Sequence, residues 1–182
     1  AVMAADAKKP TVSPSVGKPA KEAQDLIAAG KAKEAQAKAQ EAVTAAKSPY
    51  EVLVSNQILA NASLKAGDMA TGAKALEAMV ASGQLPDANP IRKTLVQLYY
   101  QSKNYPKTVE MANAYLKDQP GDTEVAVLVA QSYFLQNDFK KAVDGLKAIV
   151  KSADASGKPV KEDTLQLLAS GYSKLNDDDG MK

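Results

Sequence analysis

GDTEVAVLVAQSYFLQNDFKKAVDGLKAIV, residues 121 to 150, is the stretch whose reading decides the fold. Val129-Ala130 and Tyr133 precede a short polar turn, Asn137-Asp138. Phe139, Ala142, Leu146 and Ile149 follow it. On both sides the apolar residues recur three or four apart, the spacing of an amphipathic helix. The stretch therefore predicts two helices back to back. Small residues such as Ala130 and Ala142 sit where the two helices must approach closely. Large ones fill the space between them.

The same pattern extends outward. Tyr99 precedes Tyr133 by 34 residues, Ser63 precedes Tyr99 by 36 and Leu26 precedes Ser63 by 37; Tyr172 follows Tyr133 by 39. The period is regular only in the middle, and the last excess is expected in a loop over 153–159. Upstream, Ser48-Pro49-Tyr50-Glu51 predicts a helix start, with Ser48 as cap, Pro49 at the first helical position and Glu51 completing a capping box. That helix should stop at Gly67, and Asp68 should cap its partner. Gly72 falls at the expected helix crossing, where close backbone approach would offset a mid-helix glycine costing about 1 kcal/mol. Leu85-Pro86-Asp87-Ala88 reads as a linker, and Asn89-Pro90 restarts the pattern.

At the start, residues 1–17 are rich in Ala, Pro, Ser and Lys without periodicity and read as a disordered tail; the helical domain is expected over 18–182. A first hairpin is expected over 19–29 and 31–46, split at Gly30. Val2-Met3-Ala4, followed by Ala5-Asp6, has the small residues a signal peptidase inspects, predicting a mature protein exported to a bacterial envelope. At the other end, a helix over 161–174 should bring Leu165, Leu168, Ala169 and Tyr172 to one face. Asn176-Asp177-Asp178 should then form a turn. A half repeat leaves part of its apolar face bare, which implies that the natural chain continues or that a second copy covers this helix.

The order of residues in 121–150 resembles the tetratricopeptide (TPR) consensus W-x2-L-G-x2-Y…A-x3-F…P. The consensus tryptophan is missing throughout, and Ala130 and Ala169 stand in place of its glycine. The resemblance covers about 19–179. It implies an all-α fold, a right-handed α-solenoid of stacked antiparallel helix hairpins, with about four TPR-like repeats and a final half repeat. It also implies a concave groove lined by the first helix of each pair. By position, that groove would hold Gln57, Asn61 and Lys65, then Lys93, Gln97, Tyr100 and Gln101. Glu124, Val127, Gln131 and Phe134 would follow, then Gln166, Ser170 and Lys174. The carboxylate clamp of chaperone-binding TPR proteins is matched by Asn61 and Lys93, but its arginine has no counterpart.

Composition narrows the chemistry. The 182 residues contain no cysteine and no histidine, which excludes thiolate sites, disulfides and a Ser-His-Asp or Cys-His mechanism. Aromatics are 5% and tryptophan is absent, so alanine supplies much of the 45% apolar fraction, a balance that favours stacked helices. Twenty-three Lys and Arg against 21 Asp and Glu give a net charge of +2, too even for a dedicated nucleic-acid binder. No apolar run reaches the roughly 20 residues of a membrane-spanning helix. Asp177-Asp178-Asp179-Gly180 lacks the alternating ligands of a calcium loop, so neither metal nor cofactor is expected. Asn61-Ala62-Ser63 fits a glycosylation sequon but lies inside an expected helix. Lys140-Lys141, Lys147 and Lys151 read as a solvated face.

The expectation is a non-enzymatic scaffold, periplasmic or otherwise exported, that binds a partner protein or extended peptide in its groove. It would bind no nucleic acid, would not insert directly into a membrane, and could form a homodimer through the uncapped C-terminal helix. The alternative is the helical accessory part of a cell-wall enzyme whose catalytic region lies beyond Lys182. The amides of the groove offer donors and acceptors to a peptide backbone, and Tyr100 and Phe134 offer apolar anchors.

Overall fold

The computed structural model describes residues 10 to 180, with side chains to 176. Among the described residues there are nine helices and no strand. They fall into two compact units, Ala1–Ala88 and Asn89–Lys182. The first holds α1 (Pro14–Ala28), α2 (Ala32–Ala45), α3 (Pro49–Lys65) and α4 (Met69–Ala81). The second holds α5 (Asn89–Gln101), α6 (Tyr105–Asp118), α7 (Thr123–Leu135), α8 (Phe139–Ser156) and α9 (Glu162–Gly180).

Every helix packs on the next within its unit. In the first unit α1 also touches α3, whereas α2 and α4 stay apart. In the second α5 touches α7 and α7 touches α9, whereas α6 and α8 stay apart. Within each unit the first helices of successive hairpins therefore touch one another and the second helices do not.

The turn inside each of the four hairpins is the same device. Gly30, Gly67, Lys103 and Asn137 have φ of 75°, 79°, 59° and 61°. The next N–H reaches back five residues: Lys31 to the carbonyl of Leu26, Asp68 to Ser63, Asn104 to Tyr99 and Asp138 to Tyr133, at 2.8 to 2.9 Å. This is the Schellman closure of a helix end. The acceptors are the residues that mark the loose sequence period; the turns are alike, and the period varies with the lengths of the helices and of the linkers between hairpins. Asp68, Asn104 and Asp138 then cap the following helix, accepting the N–H of Thr71, Lys107 and Lys141.

The core of the first unit is built largely from alanine. Ala35, Ala39 and Ala42 form the whole buried face of α2 and meet Val16, Ala20 and Ala23 of α1 among other buried residues. Small side chains let the axes close up and keep packing dense. In the second unit Val96, Ala112, Tyr115 and Val125 form a buried cluster.

Three expectations are corrected. The stretch read as tail to residue 17 contains the start of α1: Ser13-Pro14 repeats the Ser-Pro start of Ser48-Pro49, and Val16 is fully buried. Residues 1–9 lie outside the described residues. The expected loop over 153–159 is mostly helix, because α8 runs to Ser156 before Gly157, at φ 67°, ends it. The expected turn at Asn176-Asp177-Asp178 and the polar stretch to Gly180 are helical, inside α9. The face that α9 turns to α8 also differs from the expected one. Gly171, not Tyr172, meets α8, and a Cβ there would lie 2.6 Å from Val143 Cγ2. Leu165 and Tyr172 are 45% and 42% exposed. They share a solvent-facing stripe with Ala169, while Thr164 is buried and Leu167 and Leu168 are half-buried.

The close approach at Gly72 is also of another kind than expected. A Cβ there would meet the Leu64 side chain at 2.6 Å, while the nearest backbone atom, Leu64 N, is 3.7 Å away. The glycine makes room for a side chain inside its own hairpin.

Candidate partner-binding faces

On α3, Gln57, Asn61 and Lys65 are four residues apart and all exposed, so they form one stripe. They belong to the first unit. The remaining candidates belong to the second. On α5, Gln97 and Gln101 are exposed, while Lys93 and Tyr100 are half-buried. On α7, Gln131, Phe134 and Val127 are half-buried and Glu124 is exposed. On α9, Gln166, Ser170 and Lys174 are exposed. Their stripe lies more than 90°, roughly, around the helix from Leu165, Ala169 and Tyr172 at about 100° per residue. Contacts of α5 with α7 and of α7 with α9 make the candidates of the second unit neighbours.

Several of these side chains already have partners. Lys93 Nζ donates to Asp122 Oδ2 at 2.7 Å and lies 5.8 Å from the centroid of the Tyr115 ring. Asp122 also accepts the Tyr115 hydroxyl at 2.7 Å and, through Oδ1, the N–H of Val125 at the start of α7. Burial opposes ionisation of Asp122, yet Lys93, Tyr115 and Val125 together hold its carboxyl below the usual range. The hydrogen bond to Asp122 raises the Lys93 ammonium. The only expected cation on α5 is thus tied to the cap of α7. Glu124 pairs with Lys161 at 3.7 Å with both side chains well exposed, and the Gln166 amide donates to Glu162 at 3.1 Å.

The two aromatic candidates are held by rings across their own turns. Tyr100 meets Tyr105 edge-on with centroids 5.8 Å apart, and Phe134 meets Phe139 in the same way at 5.0 Å. Burial, with the neighbouring Tyr105, pushes the Tyr100 phenol up. Such pairs prefer this edge-to-face arrangement because the ring edge is positive and its face negative. Each ring is fixed while part of it stays open.

Asp122, Tyr115, Tyr105 and Phe139 were not among the sequence candidates. Tyr105 and Phe139 had a readable signal, since each is the large residue directly after a capping Asn or Asp. Asp122 also precedes a helix, but its link to Lys93 spans 29 residues and has no local pattern.

Among the described residues no cluster of acids suits a metal ion, and no helix is long and apolar enough to cross a membrane.

No protein-family model and no curated protein matches the sequence. Solved structures do. A mutant of MamA aligns with a TM-score of 0.59 at 16% identity, covering 90% of this chain and 85% of that one. A structure of Naa15/Naa10 bound to HypK-THB aligns at 0.66 and 24% identity; the match covers 91% of this chain but 24% of the other. The nearly identical TPR-like repeats of a Podosopora anserina protein assigned as a kinesin light chain align at 0.53 and 18% identity, covering 92% and 90%. Identities this low speak to architecture, and the architecture they share with this chain is the TPR-like all-α helical-repeat fold.

Proposed function

We propose that the chain is a non-enzymatic protein–protein interaction scaffold of the bacterial envelope, holding a partner protein or extended peptide against the inner faces of its first helices. One observation carries the reading. The amides of Gln57, Asn61, Gln97, Gln101 and Gln131 stand on first helices and make no hydrogen bond within the chain among the described residues. Amides that the fold does not use can pair with a peptide backbone. The absence of histidine and cysteine supports a non-catalytic role. The solved structure bound to HypK-THB is a partner complex on a similar fold. The small residues around Ala4 support export.

The test is capture of one identified partner from an envelope fraction by wild-type protein, followed by the Gln97→Ala, Gln101→Ala double variant. Loss of that partner with unchanged helicity is expected; undiminished capture refutes the face. Release of the native protein by osmotic shock tests the location, and retention in the cytoplasmic fraction refutes it.

Self-association is a second reading, favoured by the exposed Leu165 and Tyr172 of α9. Sedimentation equilibrium should show a dimer that Leu165→Glu converts to monomer; a monomer in the wild type sinks it.

A further inference from the structure

The geometry points to an uncharged extended peptide with prolines three residues apart as the occupant of the α5–α7 face. This rests on the scaffold reading above and specifies its ligand. Tyr100 and Phe134 occupy the same place in consecutive hairpins, each directly after its Schellman acceptor and each held edge-on by the ring beyond the turn. Helices in contact, as α5 and α7 are, have axes about 8–10 Å apart. A polyproline II chain rises about 3.1 Å per residue, so every third residue returns after about 9 Å. One proline can therefore meet each ring in succession.

The polar groups fit the same ligand. Proline removes backbone donors, and a polyproline II segment leaves its carbonyls free. Gln97, Gln101 and Gln131 supply amide donors that the fold leaves unused. Charge complementarity points the same way. Lys93 is neutralised by Asp122, so the centre of this face offers no free cation to a terminal carboxylate. The rings are already ordered by Tyr105 and Phe139, which lowers the entropy lost on binding.

Fluorescence anisotropy on the full chain tests this with an acetylated, amidated, uncharged peptide carrying proline at every third position. A peptide of the same composition with its prolines in one block is the control. The spaced peptide should bind at least about tenfold more tightly, a difference of about 1.4 kcal/mol. Tyr100→Ala and Phe134→Ala should each weaken it about tenfold. Gln97→Ala with Gln101→Ala, exposed changes that leave the fold intact, should weaken it several-fold. Affinity should be unchanged between about 50 and 500 mM salt, over which exposed charge interactions are screened. Equal binding of the two peptides, a steep salt dependence, or preference for a free C-terminal carboxylate overturns the inference. If proline spacing is irrelevant but capture of the native partner still needs Gln97 and Gln101, this inference fails and the scaffold reading stands. If capture ignores those residues as well, both fail.

Discussion

The carboxylate of Glu51 accepts the backbone N–H of Ser13, 38 residues earlier, at 2.8 Å. Its other oxygen accepts the N–H groups of Lys47 at 2.8 Å and Ser48 at 3.2 Å. Ser48 in turn caps α3 by accepting the N–H of Glu51. One buried side chain thus joins the start of α1, the corner between α2 and α3, and the first turn of α3.

This arrangement sets an acid dependence. The hydrogen bonds from Ser13, with those from Lys47 and Ser48, lower the Glu51 carboxyl to about 2 from its ordinary 4.5. A depressed carboxyl contributes stability that is fully present above the unfolded value and is lost as pH falls through the folded one. The melting temperature should therefore drop as pH falls from about 4.5 towards 2, beyond the loss from other acids. Glu51→Gln should melt lower at neutral pH, because its NH2 faces donors, and the gap should close across that window. Parallel curves for wild type and variant over this range would contradict the account.

How far the fold could be read from the sequence depends on the distance over which each signal acts. Turns and caps are local, so Gly30, Gly67, Asp68 and the Ser48–Glu51 box were legible. The start of α1 was not, because its stabilising acceptor, Glu51, lies in another helix and its Ser-Pro signal was embedded in tail-like composition. The end of α8 and the register of α9 were also missed. An extra turn of α8 carries no composition change, and an alternative apolar stripe through Tyr172 competed with the buried one through Gly171. The site candidates came from the positions that the family resemblance implies, and of their amides Gln57, Asn61, Gln97 and Gln101 are exposed while Gln131 is half-buried. The commitment of Lys93 to Asp122 was not legible, since it requires knowing that α7 begins beside α5.

Three glycines inside helices should respond differently to alanine. Replacing a mid-helix glycine gains about 1 kcal/mol of helix propensity, whereas overpacking costs about 1–3 kcal/mol. At Gly145 the new Cβ would lie 3.8 Å from Ala130 Cβ, an ordinary contact. Gly145→Ala should therefore stabilise by about 1 kcal/mol. At Gly72 it would press Leu64 Cδ2 and Cγ at 2.6 and 2.9 Å, giving a net loss of about 1 kcal/mol. At Gly171 the obstacle is Val143, whose χ1 is stiff in a helix, so the loss should be larger, about 1–2 kcal/mol. Urea unfolding of the three variants gives the order, and a stabilised Gly171→Ala would disprove the packing of α9.

Ser63 takes the place held by Tyr99 and Tyr133 in the other hairpins, but its hydroxyl is buried without a hydrogen-bond partner among the described residues. Burying such a group costs about 1–3 kcal/mol, and alanine is also the better helix former. Ser63→Ala should raise stability by about 1 kcal/mol. Destabilisation in urea unfolding would mean that the hydroxyl has a partner in solution.

Asp122 serves three groups at once, so its loss should exceed the loss of any one of them. Asp122→Ala removes the cap of α7, which alone is worth about 1 kcal/mol. It also strands the hydroxyl of Tyr115, a residue only 8% exposed. Tyr115→Phe removes that hydroxyl and one acceptor bond while keeping the cap. Lys93→Met removes an ion pair whose lysine side chain is 38% exposed, where salt already weakens the attraction. The melting temperatures should therefore fall in the order Asp122→Ala, Tyr115→Phe, Lys93→Met, from the largest drop to the smallest. Raising salt should shrink the Lys93 effect and leave the Tyr115 effect in place, because a short hydroxyl–carboxylate bond is not screened as a separated pair is. A Lys93→Met variant that falls furthest, or a Tyr115→Phe effect that vanishes in high salt, would show that the ion pair rather than the helix cap organises this corner.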